Sequence, residues 1–260
     1  MSDWWHDLQT RVDRPTALPR ASLYVGAGAL PVGSVEPALA QRMRADGLPI
    51  APAPEGWRVD GATPDASLAA IAAWLRAQRV ITGWRDELLA VDDAAGTRVA
   101  MIERAAVRAL GITTRAVHLV GRAETGSVWV QQRAFDKATD PGRWDTLMGG
   151  LIAADETLAM TLARETWEEA GLRVEALRDI QACGLLTVRR PVVDGYMIEH
   201  IHVFEALVPA ALEPVNQDGE VAAFECLSIA ALRDRLHADA FTLEAALILV
   251  DALRRYGHAT

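Results

Sequence analysis

Glu165, Glu168 and Glu169 stand beside Arg164 in the stretch Gly150 to Leu172, GLIAADETLAMTLARETWEEAGL. At about 100° per residue a helix through this stretch brings the three carboxylates onto one arc, with Ala159, Leu162, Ala163, Thr166 and Ala170 on the other side. Like charges three and four residues apart repel by roughly 0.2–0.5 kcal/mol per pair, and Arg164 is the one basic residue nearby to offset them. A hard divalent cation answers that charge best. Carboxylate oxygens suit Mg²⁺ or Mn²⁺, and Mg²⁺ keeps positions open for water and for a substrate phosphate. The plain alternative is a solvated acidic helix face that holds no ligand.

Position follows from the flanks. The run from Thr157 to Ala170 contains neither Pro nor Gly and lies between Gly149-Gly150 and Gly171, so a helix is expected there. Asp155 or Thr157 can cap it, Glu156 sits at its positive end, and Gly171 suits a left-handed terminal residue.

Gly150, five residues, Glu156, seven residues, then Arg164-Glu165-x-x-Glu168-Glu169-x-Gly171-Leu172 resembles the Nudix box. Thr166 stands where that family has a bulky aliphatic residue, which points to a tighter helix-to-sheet contact. The resemblance implies an α/β architecture: a C-terminal Nudix fold, with a mixed sheet between helices in an α/β/α sandwich, preceded by a smaller α+β N-terminal domain. We expect the boundary to give domains 1–112 and 113–260.

The 260 residues are 51% hydrophobic and 23% charged, enough for two cores of ordinary size, and the formal net charge is -9. With Lys and Arg scattered, nucleic acid and anionic membrane are poor partners. Cys183 and Cys226 lie far apart, with no Cys or His at ligand spacing. Neither a disulfide framework nor a zinc site is suggested, and both are expected as small core residues. The start, MSDWWHDLQTR, lacks a basic segment followed by an apolar run, and no apolar stretch reaches membrane-spanning length, so a cytoplasmic setting is expected.

Before the box, Trp4 and Trp5 precede a short polar helix, and Leu23 to Val25 reads as a strand. Gly26, Gly28 and Gly33 follow, but their spacing is wrong for a dinucleotide loop. Val35 to Ala45 reads as a helix, Leu48 to Glu55 as a Pro-rich linker, and Asp65 to Gln78 as a second helix. A strand is expected over Trp84, Leu88, Leu89 and Val91, then a helix from Val99 to Leu110. Segments Gly83-Trp84-Arg85-Asp86-Glu87-Leu88 and Ile102-Glu103-Arg104-Ala105-Ala106 resemble the N-terminal domain of thiamine-pyrophosphokinase-related Nudix proteins.

The C-terminal half opens with a hairpin, Val117 to Gly121 against Val128 to Val130, and a Pro-Gly loop, KATDPGRWD. Val174 to Leu177 and Leu185 to Arg189 read as short strands and Met197 to Val208 as a longer one. His200 and His202, two apart, are taken as sheet residues rather than metal ligands. Glu220 opens a strand toward Leu227, and helices follow from Ser228 to Leu236 and from Leu243 to Tyr256.

The resemblance implies water attack on a diphosphate phosphorus with Mg²⁺, or Mn²⁺, as cofactor. Glu165, Glu168, Glu169 and the Gly150 carbonyl are the implied metal ligands. Glu165 or Glu220 is the general base, Arg164 orients its neighbours, and Glu156 supports the helix start. Arg133 and Lys137 are expected to meet substrate phosphate, and Trp84 to touch the base of the substrate. Thiamine diphosphate or its oxidised analogues is the substrate suggested, with a small-molecule diphosphate as partner and a homodimer possible. ADP-ribose and nucleoside diphosphate sugars are the alternative substrates, and a non-catalytic nucleotide sensor is the alternative class. Isopentenyl-diphosphate isomerases share the Lys and Pro-Gly-x-x-Asp arrangement but need a catalytic Cys, and no cysteine here precedes Cys183.

Overall fold

In a computed structural model, which describes residues 3–258, the chain runs α1 (Asp3–Val12), β1 (Ala21–Val25), β2 (Gly33–Val35), α2 (Pro37–Ala45), β3 (Ile50–Ala53), β4 (Gly56–Val59) and α3 (Pro64–Ala77). A hairpin, β5 (Leu88–Asp92) and β6 (Arg98–Glu103), follows. Then come β7 (Thr113–Ala123), β8 (Val128–Arg133), β9 (Trp144–Asp145), β10 (Met148–Leu151), α4 (Leu158–Ala170), β11 (Arg178–Val192), β12 (Gly195–Val208), β13 (Val221–Leu227), α5 (Ile229–His237) and α6 (Leu243–Arg255).

The later strands form one mixed sheet, β11-β12-β7-β8-β13, in which β7 and β12 run parallel and the other pairs antiparallel. β10 pairs with the first half of β7, and β9 with β8. Helix α4 covers one face through Leu162, Ala170, Val117, Leu119 and Leu147. On the other face α6 carries apolar residues nearly all round, so it is buried on almost every side, against Val130, Ile201 and Val203. Each fully buried Leu or Ile of these layers contributes about 1.5–3 kcal/mol. The expected α/β/α sandwich is the observed architecture.

A second core runs from Leu23 to Ile112. It is built on the four-stranded sheet β2-β1-β4-β3, α2, α3 and the β5–β6 hairpin. Helix α1 does not belong to it: Leu8 is buried in the core under α6, and Asp13 bridges to Arg189 of β11. Trp4 and Trp5 fall within α1 rather than before it.

Four expectations are corrected. The Pro-rich linker contains β3, where Pro52 is tolerated because β3 is an edge strand paired only with β4. Val99 to Leu110 is not a helix. Ala100 and Ile102 are buried while Met101 is exposed, the period of two that makes Val99 to Glu103 part of β6, and a 3₁₀ turn, Arg104–Ala106, follows. Val174–Ala176 is a 3₁₀ turn, and the short strand after it is part of the long β11, which bulges between Ala182 and Gly184. Neither cysteine is core: Cys183 is half-buried and Cys226 is exposed on β13, which pairs on one side only. Among the described residues no helix is long and apolar enough to cross a membrane.

Candidate active site

Thr157 caps α4, its hydroxyl accepting from the Met160 amide at 3.2 Å, and Gly171 ends the helix at φ 63°. Thr166 is fully buried and donates to the Leu162 carbonyl at 2.6 Å, the small side chain that lets α4 lie close on the sheet. Outward-facing positions are taken by Met160 and Trp167.

The acidic arc is not a bare face. Arg164 holds Glu156 with two bonds, Nε to Oε1 at 2.7 Å and Nη2 to Oε2 at 2.9 Å. Its Nη1 reaches Glu165 at 2.8 Å and Glu168 at 2.9 Å. Hydrogen bonding from Arg164 draws the Glu156 carboxyl below its usual range. Glu156 is therefore the partner of Arg164 rather than a helix-end anion alone, and part of the repulsion is relieved within the chain.

Glu169 turns inward. It is 3% exposed and accepts hydrogen bonds from the Gly149 amide at 2.9 Å and Gln131 Nε2 at 2.8 Å. Burial, with the Glu165 charge beside it, pushes its carboxyl up to about 8. Burial also pushes Glu165 up to about 7, against the pull of Arg164.

The glycine pair before α4 is demanded by these contacts. A Cβ on Gly150 would run into the Glu165 carboxylate, and one on Gly149 would meet the His118 ring at 2.6 Å. Within the β7–β10 ladder Gly150 faces Val117, two positions from the bonded pair Ile152 and Arg115. Ladder bonds alternate, so the backbone groups of Gly150 point at β7 and those of Gly149 point away, toward Glu169. Gly149 is thus the residue whose backbone N–H meets the acidic cluster, while the ladder turns the Gly150 backbone groups toward β7.

The donor set of Glu165, Glu168 and Glu169 is all hard oxygen, with Glu169 buried and in contact with no cation among the described residues, and so suits Mg²⁺ or Mn²⁺ in chemistry. The side chains as they stand do not converge on one point. Among the described residues no group of three or more His, Cys, Asp or Glu stands in metal-holding geometry, because Arg164 holds Glu165 and Glu168 while Glu169 is turned to Gly149. His200 and His202 are half-buried on β12, and burial lowers both.

Lys137 and Glu220 form an ion pair. Burial works to raise the Glu220 carboxyl, but Lys137, with Arg85 and Arg104 further off, draws it below its usual range. Arg133 is tied to the Thr139 carbonyl at 2.9 Å and lies 3.5 Å from Asp145. Both basic residues line a cavity of about 170 Å³ together with Gly149, Gly150 and Glu220.

Trp84 lines neither that cavity nor the larger one beside it. Its indole donates to Asp86 at 2.7 Å and lies under Arg76 at 4.7 Å, packed on the N-terminal core. The neighbours Gly83 and Arg85 reach the cavity instead. Sequence reasoning missed Gln131, His118 and Glu199, as well as the arginines Arg85, Arg104, Arg108 and Arg190. Arg85 and Arg104 lie in the two N-terminal segments noted above, and the others carry no motif, since each is brought to the site by a strand or turn distant in sequence.

An acid-bearing helix packed on a mixed sheet, beside a basic cavity, defines a protein class. The NUDIX domain model matches residues 112–247, more than half of the chain, and the chain belongs to the Nudix family. It is 30% identical over 186 residues to "Nudix hydrolase 24, chloroplastic" of Arabidopsis thaliana, covering 68% of this chain and 50% of that protein. It is 36% identical over 114 residues to an isopentenyl-diphosphate Delta-isomerase of Rhodobacter capsulatus, covering 43% of this chain and 62% of that one. The chain spans about half the length of the first two relatives it matches. The crystal structure of DR0079 from Deinococcus radiodurans shares the fold, with a TM-score of 0.51 at 22% identity over 62% of this chain and 97% of that one.

Proposed function

We propose that the chain is a Mg²⁺-dependent Nudix hydrolase, Mn²⁺ being a substitute, that cleaves the P–O–P bridge of a small organic diphosphate. The observation that carries this is the intact set on α4, in which Arg164 links Glu156, Glu165 and Glu168 while Glu169 faces Gly149, beside a cavity walled by Lys137 and Arg133. When bound at Glu165, Glu168 and Glu169, the divalent ion neutralises phosphate oxygens and lowers the pKa of water.

The chain's own residues do the rest. Lys137 and Arg133 bind and orient the phosphates. The water oxygen bonds to one phosphorus as the bridging P–O bond breaks, and the water proton is held at the Glu165 carboxylate. Of the two candidate bases Glu165 suits this better, because Lys137 holds Glu220 and lowers its affinity for a proton. Glu220 acts instead as the anchor of Lys137. Arg164 positions Glu165 and Glu168.

Resemblance of the Gly83–Leu88 and Ile102–Ala106 segments to the thiamine-pyrophosphokinase-related group points to thiamine diphosphate or its oxidised analogues, cleaved to the monophosphate. The domain division stays at 1–112 and 113–260, amended by α1, which packs on the second half. A cytoplasmic setting and a homodimer belong to the same reading, and gel filtration with light scattering tests the second. Hydrolysis with Mg²⁺ and with chelator tests the function, read as inorganic phosphate from thiamine diphosphate and isopentenyl diphosphate and as phosphomonoester products from ADP-ribose and nucleoside diphosphate sugars. Binding of nucleotides without any product would favour the sensor reading instead.

A further inference from the structure

A cavity of about 800 Å³ lies between the turn that follows β6 and strand β12, within the range of pockets that enclose a small organic ligand. It adjoins the smaller cavity beside Gly149 and Lys137, and Arg85, Arg104 and Glu199 stand in the walls of both. Most charges in these walls cancel in pairs. Arg104 binds Glu87 at 2.7 Å, Arg108 lies 3.6 Å from Asp194, Arg190 binds Glu244 at 3.2 Å, Arg133 lies 3.5 Å from Asp145, and Lys137 binds Glu220.

Two groups in the walls stand apart from this pairing, besides Asp140 on the Pro-Gly loop. Arg85 has no ion-pair partner among the described residues, and its charge reaches Glu220, on the Lys137 side. Glu199 has none either. Its side chain is half-buried and accepts one hydrogen bond, from the Thr114 hydroxyl at 3.1 Å, with His118 and Arg108 further off. A half-buried carboxylate that makes one hydrogen bond keeps acceptor capacity, and the cavity it lines is the side from which a donor can come.

We propose that Glu199 is a specificity residue that receives the head group of the substrate, a head that is cationic or donates N–H bonds, while Arg85 faces the diphosphate tail. The cavity thus carries in its walls an unpaired cation, Arg85, and an unpaired anion, Glu199. It selects a diphosphate that is itself anionic at one end and cationic or donor-bearing at the other, over one carrying a neutral sugar or hydrocarbon. Since Arg85 comes from the segment between α3 and β5, the N-terminal region takes part in choosing the substrate.

The inference rests on the hydrolase reading for its diphosphate end. Binding is therefore measured rather than turnover, so failure to hydrolyse and failure to recognise the head are separate results. The full chain is titrated calorimetrically with thiamine diphosphate, which has a cationic head, and with inorganic pyrophosphate, which has none, both with Ca²⁺ in place of Mg²⁺ so that neither ligand is turned over. Wild type should favour thiamine diphosphate. Glu199→Gln should weaken that ligand about tenfold to a hundredfold and leave pyrophosphate unchanged, which also shows that the variant is folded. Glu199→Asp, keeping the charge, should lose less. Equal binding of the two ligands by wild type would overturn the proposal. So would a Glu199→Gln variant that binds thiamine diphosphate as wild type does, or that loses both ligands by the same factor.

Discussion

Replacing Arg164 with Gln removes the one cation that touches Glu156, Glu165 and Glu168 together. The Glu156 bond is the main loss, since that side chain is 14% exposed and accepts from two guanidinium nitrogens. Breaking a buried pair by deleting one partner costs on the order of 3–5 kcal/mol, and the 33% exposure of Arg164 places this case at the low end. Glu168, 41% exposed, adds only about 0–0.5 kcal/mol. A total of about 3 kcal/mol, at about 2–4 °C per kcal/mol for a chain of this size, lowers Tm by roughly 6–12 °C. The assay is thermal unfolding at pH 7.5 in chelator, repeated with Mg²⁺. With the guanidinium gone the carboxylates repel more strongly, so Mg²⁺ should raise the Tm of the variant more than that of wild type. A Tm loss under about 2 °C would refute the reasoning, because it would mean the three carboxylates do not depend on Arg164.

Gly150→Ala should fold with a modest loss of about 1–3 kcal/mol yet abolish phosphate release, because the new methyl displaces the Glu165 carboxylate; full activity would show that Glu165 need not stand there. In chelator, stability should fall as pH rises from about 4.5 through about 8. Glu165 and Glu169 hold their protons longer folded, up to about 7 and about 8, than unfolded near 4.5, so the folded state binds more protons across that window. Glu156, Glu220 and Asp239, lowered on folding, act in the opposite sense and lose their contribution at more acid pH. For the same reason Mg²⁺ binding near pH 7 should release protons, measured by titration in weak buffer, and should weaken as pH falls toward 6. Lys137→Met should raise KM for a diphosphate while leaving the fold intact, and an unchanged KM would remove Lys137 from the phosphate site.

The chemistry-bearing helix was legible because everything that defines it is local: its cap Thr157, its unbroken run, its glycine ends and the register of Arg164, Glu165, Glu168 and Glu169. What surrounds it was not. Gln131, His118 and Glu199 come from β8, β7 and β12, and their role depends on strand register that no single segment encodes. The hairpin strand β6 was read as a helix because its burial period is one that only packing on α3 reveals. In the sequence Glu169 is one of three acids on a shared arc, yet its place one turn after buried Thr166 and beside buried Ala170 turns it inward to Gly149 and Gln131. Trp84 was expected to touch the base of the substrate, while the residue that reaches the cavity is its neighbour Arg85.

The central claim is that Glu169, buried against Gly149, and its partners on α4 hold the ion that drives diphosphate cleavage. Cleavage of the diphosphate panel with saturating Mg²⁺, read as inorganic phosphate or as phosphomonoester products according to the substrate and compared between wild type and Glu169→Gln, tests it most directly. The account predicts turnover of at least one diphosphate by wild type, its loss in chelator, and a fall of about a hundredfold or more in Glu169→Gln without loss of fold. No turnover of any member by wild type, or a Glu169→Gln variant as active as wild type, would contradict it.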